Sequence, residues 1–68
     1  MKAFEIRLAE HHERNARHLR NLQRFTDDGQ RFGRLAPDEQ KILKRQLVVM
    51  AELDEILTLR MKLHNIPV

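Results

Sequence analysis

Nine arginines set against four lysines are the chemically pointed feature of this chain. They stand at Arg7, Arg14, Arg17, Arg20, Arg24, Arg31, Arg34, Arg45 and Arg60. A guanidinium is a planar fork of donors that grips a phosphate through two parallel hydrogen bonds and stacks on flat rings. The chemistry on offer is recognition of an anionic, phosphate-bearing ligand. The competing use of the same residues is a solvated helix face, with Glu10 and Glu13 as i,i+4 partners of Arg14 and Arg17. His11, His12 and His18 raise metal binding. His11 and His18 share a helix face, but two histidines do not complete a zinc site, and no His-Glu-x-x-His spacing exists. The expectation is no metal and no cofactor; the histidines are expected at a polar stretch of a subunit interface or facing water. Serine, cysteine and tyrosine are absent, and Thr26, one of two threonines, falls at a helix end. Carboxylate catalysis needs a pocket that two helices do not enclose. The expectation is binding without catalysis.

The chain has 68 residues, 13 Lys plus Arg, 10 Asp plus Glu and a formal net charge of +3. A chain of this size buries about 60% of its unfolded surface and leans on disulfides, metals or partner subunits. Without cysteine, oligomerisation is the expected support. No apolar run approaches the roughly 18 residues of a membrane span, and the N-terminus lacks an apolar signal region. No membrane partner is expected.

The elements follow from pattern and punctuation. Residues 3–26 contain no Pro or Gly and are rich in Glu, Arg, Leu and Ala, which predicts a helix. Its apolar line is Phe4, Leu8, Leu19, Leu22 and Phe25, interrupted at His11, His12 and Asn15. A buried Asn fixes register in helical assemblies, or marks a hydrophilic cavity. Residues 27–36 read as a loop, with Gly29 taking a positive φ at the helix end and Phe32 and Leu35 tucking back. Pro37 opens a second helix, with Asp38 and Glu39 complementing its positive end. That helix is expected to run to about residue 64, leaving a short frayed or docked tail.

The second helix carries two apolar stripes. One is Leu43, Leu47, Met50, Leu57 and Met61; the other is Ile42, Val49, Leu53, Ile56 and Leu63. One stripe suffices for a surface helix, so two mean packing on more than one side. The first helix covers one side, and a second copy or another protein is expected to cover the rest. Antiparallel pairing sets Asn15 near Val49 or Met50 and gathers Phe4, Arg7, Arg60, Lys62 and His64 at the open end. Acidic residues interleave with the basic ones, which argues against duplex nucleic acid; only Arg14, Arg17, Arg20, Arg24, Arg31 and Arg34 form a locally basic zone.

One string of landmarks is more specific. Arg7-Leu8, Glu10, Leu19, Leu22-x-x-Phe25, Phe32-x-x-Leu35-x-x-x-Glu39-Gln40-x-x-Leu43, Gln46-Leu47-x-x-Met50 and Ile56-Leu57-x-x-Arg60 resemble a family of very small tailed-phage proteins. That group is similar to the phage anti-CBASS sponges, helical proteins that sequester the cyclic oligonucleotide signals of bacterial immunity. The resemblance covers residues 4–61. It implies a homo-oligomer, a dimer or hexamer, with cyclic di- or trinucleotides held between protomers in the cytoplasm of the infected host. A cyclic dinucleotide has two phosphates about a pseudo-twofold axis, so one arginine per protomer of an isologous dimer meets both. Arg7 and Arg60 match the landmarks. By position, His11 joins Arg7 from one protomer, Arg24 joins Arg60 from a neighbour, and Phe4 or His18 lies against a base. The chain departs from the pattern at Asn15, where Leu is usual, at His18 and Asn21, where basic residues are usual, and at Leu53, where an aromatic is common. These departures bear on ligand choice and on whether binding is kept.

The combined reading is all-α: one domain over 1–68, an antiparallel helical hairpin assembling into a homo-oligomeric bundle. Its leading function is non-enzymatic sequestration of cyclic oligonucleotides in phage anti-defence. The alternatives are a small helical adaptor that binds and modulates a host protein, and a nucleic-acid-binding accessory protein.

Overall fold

A computed structural model describes residues 2–68 and is all-helical, with α1 over Ala3–Asp27, α2 over Gly29–Gly33 and α3 over Pro37–Leu63. No strand occurs among the described residues. The molecule is a rod of 45 × 15 × 15 Å with a radius of gyration of 14.8 Å. A compact chain of this length has a radius of about 11 Å.

Each helix end has a local cause. The backbone N–H of Lys2 donates to the Glu5 carboxylate at 3.3 Å, tying down the first turn of α1. At the other end Asp28 leaves the helix (φ −83°, ψ 92°) while its N–H still donates to the Arg24 and Phe25 carbonyls. The same residue then starts α2, its Oδ1 accepting from the Arg31 N–H at 3.3 Å. The expected positive φ at Gly29 is therefore corrected: no glycine has one, and the break is made by an aspartate that caps the next helix. The segment expected as loop accordingly holds a short helix. It buries Phe32 edge-on to Phe25, ring centroids 6.3 Å apart. Gln40 donates to the Leu35 carbonyl at 2.9 Å, fastening this connection to α3.

The two long helices run antiparallel, as their cross-contacts require: Asn15 meets Met50, His12 meets Thr58 and Phe4 meets His64. Asn15 is buried and its Nδ2 donates to the Met50 carbonyl at 3.0 Å. The polar break in the apolar line is thus satisfied by the neighbouring helix of the same chain and sets the register between α1 and α3.

The tightest packing lies at the end carrying both termini, where Leu8, Leu57, Met61 and Ile66 form the buried cluster. Ile66 reaches it through the C-cap of α3. Asn65 takes φ 56°, the left-handed region, so the Ile66 N–H donates back to the Met61 carbonyl at 2.9 Å and the Asn65 N–H to Lys62 at 3.1 Å. This is a Schellman motif, completed by apolar contact between the residue after the turn and the last helical turn. The tail is docked, not frayed.

One stripe of α3 faces α1: Leu57 and Met61 are buried, with Leu43, Leu47 and Met50 half-buried. Of the other stripe only Leu53 reaches the core; Ile42, Val49, Ile56 and Leu63 stay exposed. No helix among the described residues is long and apolar enough to cross a membrane.

Candidate ligand-binding groove

Phe4, Leu8 and His11 follow one face of α1 at helical spacing, and Arg7 stands beside them. Antiparallel packing brings Arg60, in the last turn of α3, to the same place. Together Phe4, Arg7, Leu8, His11 and Arg60 line an open groove of about 200 Å³. Leu8 is buried and forms its floor, while Arg7, His11 and Arg60 are exposed and free to turn toward a guest. The groove therefore rests directly on the best-packed part of the molecule. Its backbone is fixed, and only the tips of its long side chains need ordering on binding.

The aromatic wall is Phe4, backed by His64. Phe4 meets His64 edge to face, centroids 5.0 Å apart at 74°, which leaves part of the phenyl ring open to solvent. His64 is placed by the C-cap of α3, so the turn that docks Ile66 also builds this wall. Below the groove, His12 clasps the two helices: its Nε2 lies 3.1 Å from Thr58 Oγ1 and 3.5 Å from Asp54 Oδ1. His12 is accordingly held by contacts within the chain and does not simply face water. Its partners are distant in sequence, and nothing in the spacing announces them.

Two guanidiniums and no carboxylate line the groove, so its field favours an anion. A second depression, about 320 Å³, lies on α1 among Glu10, Glu13, Arg14 and Arg17. There two carboxylates stand beside two guanidiniums and their charges offset, so phosphate gains little. All four are exposed, as a solvated face requires, and none pairs within 4.0 Å; among the described residues the pair at that distance is His12–Asp54.

Of the expected site residues, Phe4, Arg7, His11 and Arg60 come together within one protomer. Arg60, assigned to a neighbour by position, stands in the same groove as Arg7. His18 and Arg24 do not join them. They are exposed on α1, roughly 16 and 25 Å beyond Arg7 at 1.5 Å per residue. Leu8, which lines the groove, and His64, which packs on Phe4 behind it, were not among the expected site residues. The antiparallel register places both, and His64 had signalled itself only as one of the open-end cluster.

These features define an all-helical protein with an arginine-flanked, aromatic-walled groove at one end. The chain belongs to the Sequestin family, whose model matches residues 2–63. No curated protein and no solved structure gave a match.

Proposed function

We propose that this protein sequesters cyclic oligonucleotide immune signals, without catalysis, in sites completed between copies of an αα-hairpin. The observation that carries the reading is the groove itself: Arg7 and Arg60 line it together with Phe4, Leu8 and His11, and no carboxylate lines it. A phosphodiester supplies the anion for the guanidiniums, and its base supplies a flat face for Phe4 or His64. The family name points to sequestration, and the landmark resemblance supplies the anti-CBASS setting, phage infection in the host cytoplasm.

Size argues for more than one copy. Sites for compact organic ligands enclose about 300–1,000 Å³ and bury most of the guest. At about 200 Å³ and open on one side, the groove holds part of a cyclic di- or trinucleotide. A second protomer, in a dimer or hexamer, supplies the remaining wall. His18 and Arg24, too far along α1 to reach their own groove, are the residues that a neighbour would contribute. The arrangement needs no reacting group, and the bound molecule leaves unchanged.

The test is a thermal-shift and calorimetric screen against cyclic di- and trinucleotides, with recovered ligand analysed by mass. A ligand held only by the folded state stabilises it by about 2.7 kcal/mol at a hundredfold excess over its Kd. No shift across the panel removes this reading. A linear product removes the non-catalytic part.

A further inference from the structure

The outer face of α3 carries a pattern of its own. Ile42, Val49, Ile56 and Leu63 recur every seventh residue and are 65, 54, 53 and 77% exposed. Leu59 and Val48 flank them at 59 and 58%. A seven-residue apolar repeat is the signature of a helix that packs along a second helix. The surface area agrees. The chain exposes 5391 Å², whereas a compact monomer of its mass exposes about 4,500 Å². The excess, roughly 900 Å², is close to the 800 Å² that each partner contributes to a standard interface.

Two charges interrupt this face, Arg45 and Glu52, and they decide who can cover it and in which direction. A second copy laid parallel in register sets Arg45 on Arg45 and Glu52 on Glu52, two like-charge layers inside an apolar seam. A copy laid antiparallel about Val49 removes both conflicts. Val49 then meets itself and Ile42 meets Ile56 of the partner subunit. Arg45 falls opposite Leu53 of the partner subunit, one residue or about 1.5 Å of rise from Glu52 of the partner subunit and within reach of it, twice. Leu63 lies past the start of the facing helix. Moving the axis half a heptad, between Glu52 and Leu53, sets Arg45 opposite Arg60 and restores a repulsion. Moving it a full heptad, to Ile56, drops Arg45 opposite Pro67. The register between Glu52 and Leu53 pairs Ile42 with Leu63 of the partner subunit and Val49 with Ile56 of the partner subunit, but of these three registers the one centred on Val49 is the one that brings both Arg45 and Glu52 beside an opposite charge.

We infer that this protein self-associates through an antiparallel, two-fold α3–α3 seam centred on Val49 and closed by two reciprocal Arg45–Glu52 pairs. The inference rests on the self-association within the proposed function and names one surface of it, distinct from the contact that would complete the groove. An isologous contact of this kind closes on itself. It leaves the Phe4–Arg7–His11 side of α1 outside the seam, free for ligand and for any further assembly.

The absence of cysteine makes the test direct. Val49→Cys under mild oxidation should cross-link nearly all of the protein to itself. Ile56→Cys alone should not, whereas an equimolar mixture of Ile42→Cys and Ile56→Cys chains should yield the mixed dimer. Arg45→Glu and Glu52→Arg should each weaken self-association at least ~10-fold by sedimentation, and the double exchange should restore it. Cross-linking of Ile56→Cys as complete as that of Val49→Cys would mean a parallel seam and overturn the inference. A Val49→Cys chain that resists oxidation, or charge exchanges without effect, overturns it too. Cyclic-oligonucleotide binding is measured on the same variants. Failed cross-linking or charge exchange in a protein that ligand still stabilises refutes the seam and leaves sequestration standing, while a cross-linked dimer indifferent to every ligand upholds the seam and refutes sequestration.

Discussion

Asn15 and Asn65 do opposite jobs with the same side chain. At Asn15 the amide is buried and acts as donor to the Met50 carbonyl, a group that also serves its own helix. Asn15→Asp loses that donor and sets a carboxylate against a carbonyl oxygen, so it should destabilise by about 3 kcal/mol in urea unfolding at neutral pH. Asn15→Leu leaves no orphaned carbonyl and restores the apolar line; it should change stability by less than about 1 kcal/mol. At Asn65 the backbone matters instead. Its φ of 56° suits Asn or Gly and strains a β-branched residue. Asn65→Gly should be neutral to slightly stabilising, whereas Asn65→Val should cost about 1–2 kcal/mol in the same measurement. Equal losses for Gly and Val would show that the left-handed turn does not hold the tail.

The elements divide the labour further. α1 has one apolar line and spends it on α3. α3 has two, of which only one is covered. The tail is an element in its own right, because Ile66 closes the core on which the groove sits. Ile66→Ala should therefore cost about 2–3 kcal/mol, the lower part of the usual range because the site lies at an open end. Phe4, packed on the same cap through His64, should become more mobile, seen as averaged aromatic NMR signals. An unchanged midpoint would mean that the docked tail contributes little. α2 is small but sets where α3 begins, through Asp28 at its start and the Gln40–Leu35 bond behind it.

At the scale of the molecule, the chain is a 45 Å rod that leaves one apolar face of α3 uncovered. Sedimentation at micromolar concentration should report a mass at least twice 8.2 kDa, and a well-folded monomer would contradict the assembly argued above. Ligand recognition belongs to the same scale, since residues from both ends of the chain line the groove. Arg7→Ala and Arg60→Ala should each weaken cyclic-oligonucleotide binding ~10–100-fold, the loss of one charge-assisted contact, without altering helicity or mass. Arg14→Ala, in the charge-balanced depression on α1, is the control and should leave binding nearly unchanged.

Helix content, the proline start of α3 and its two apolar stripes were all legible in the sequence, because periodicity and capping are local and each residue's contribution is fixed by its neighbours within a turn. The open-end grouping of Phe4, Arg7 and Arg60 was legible for a related reason: once two helices are antiparallel, arithmetic places their ends. What the tertiary structure alone decided was pairing across that arrangement. It chose the Met50 carbonyl for Asn15, Thr58 and Asp54 for His12, and a core position for Ile66. Each choice depends on rotation and register between helices at sub-turn precision, which no spacing along a single chain encodes.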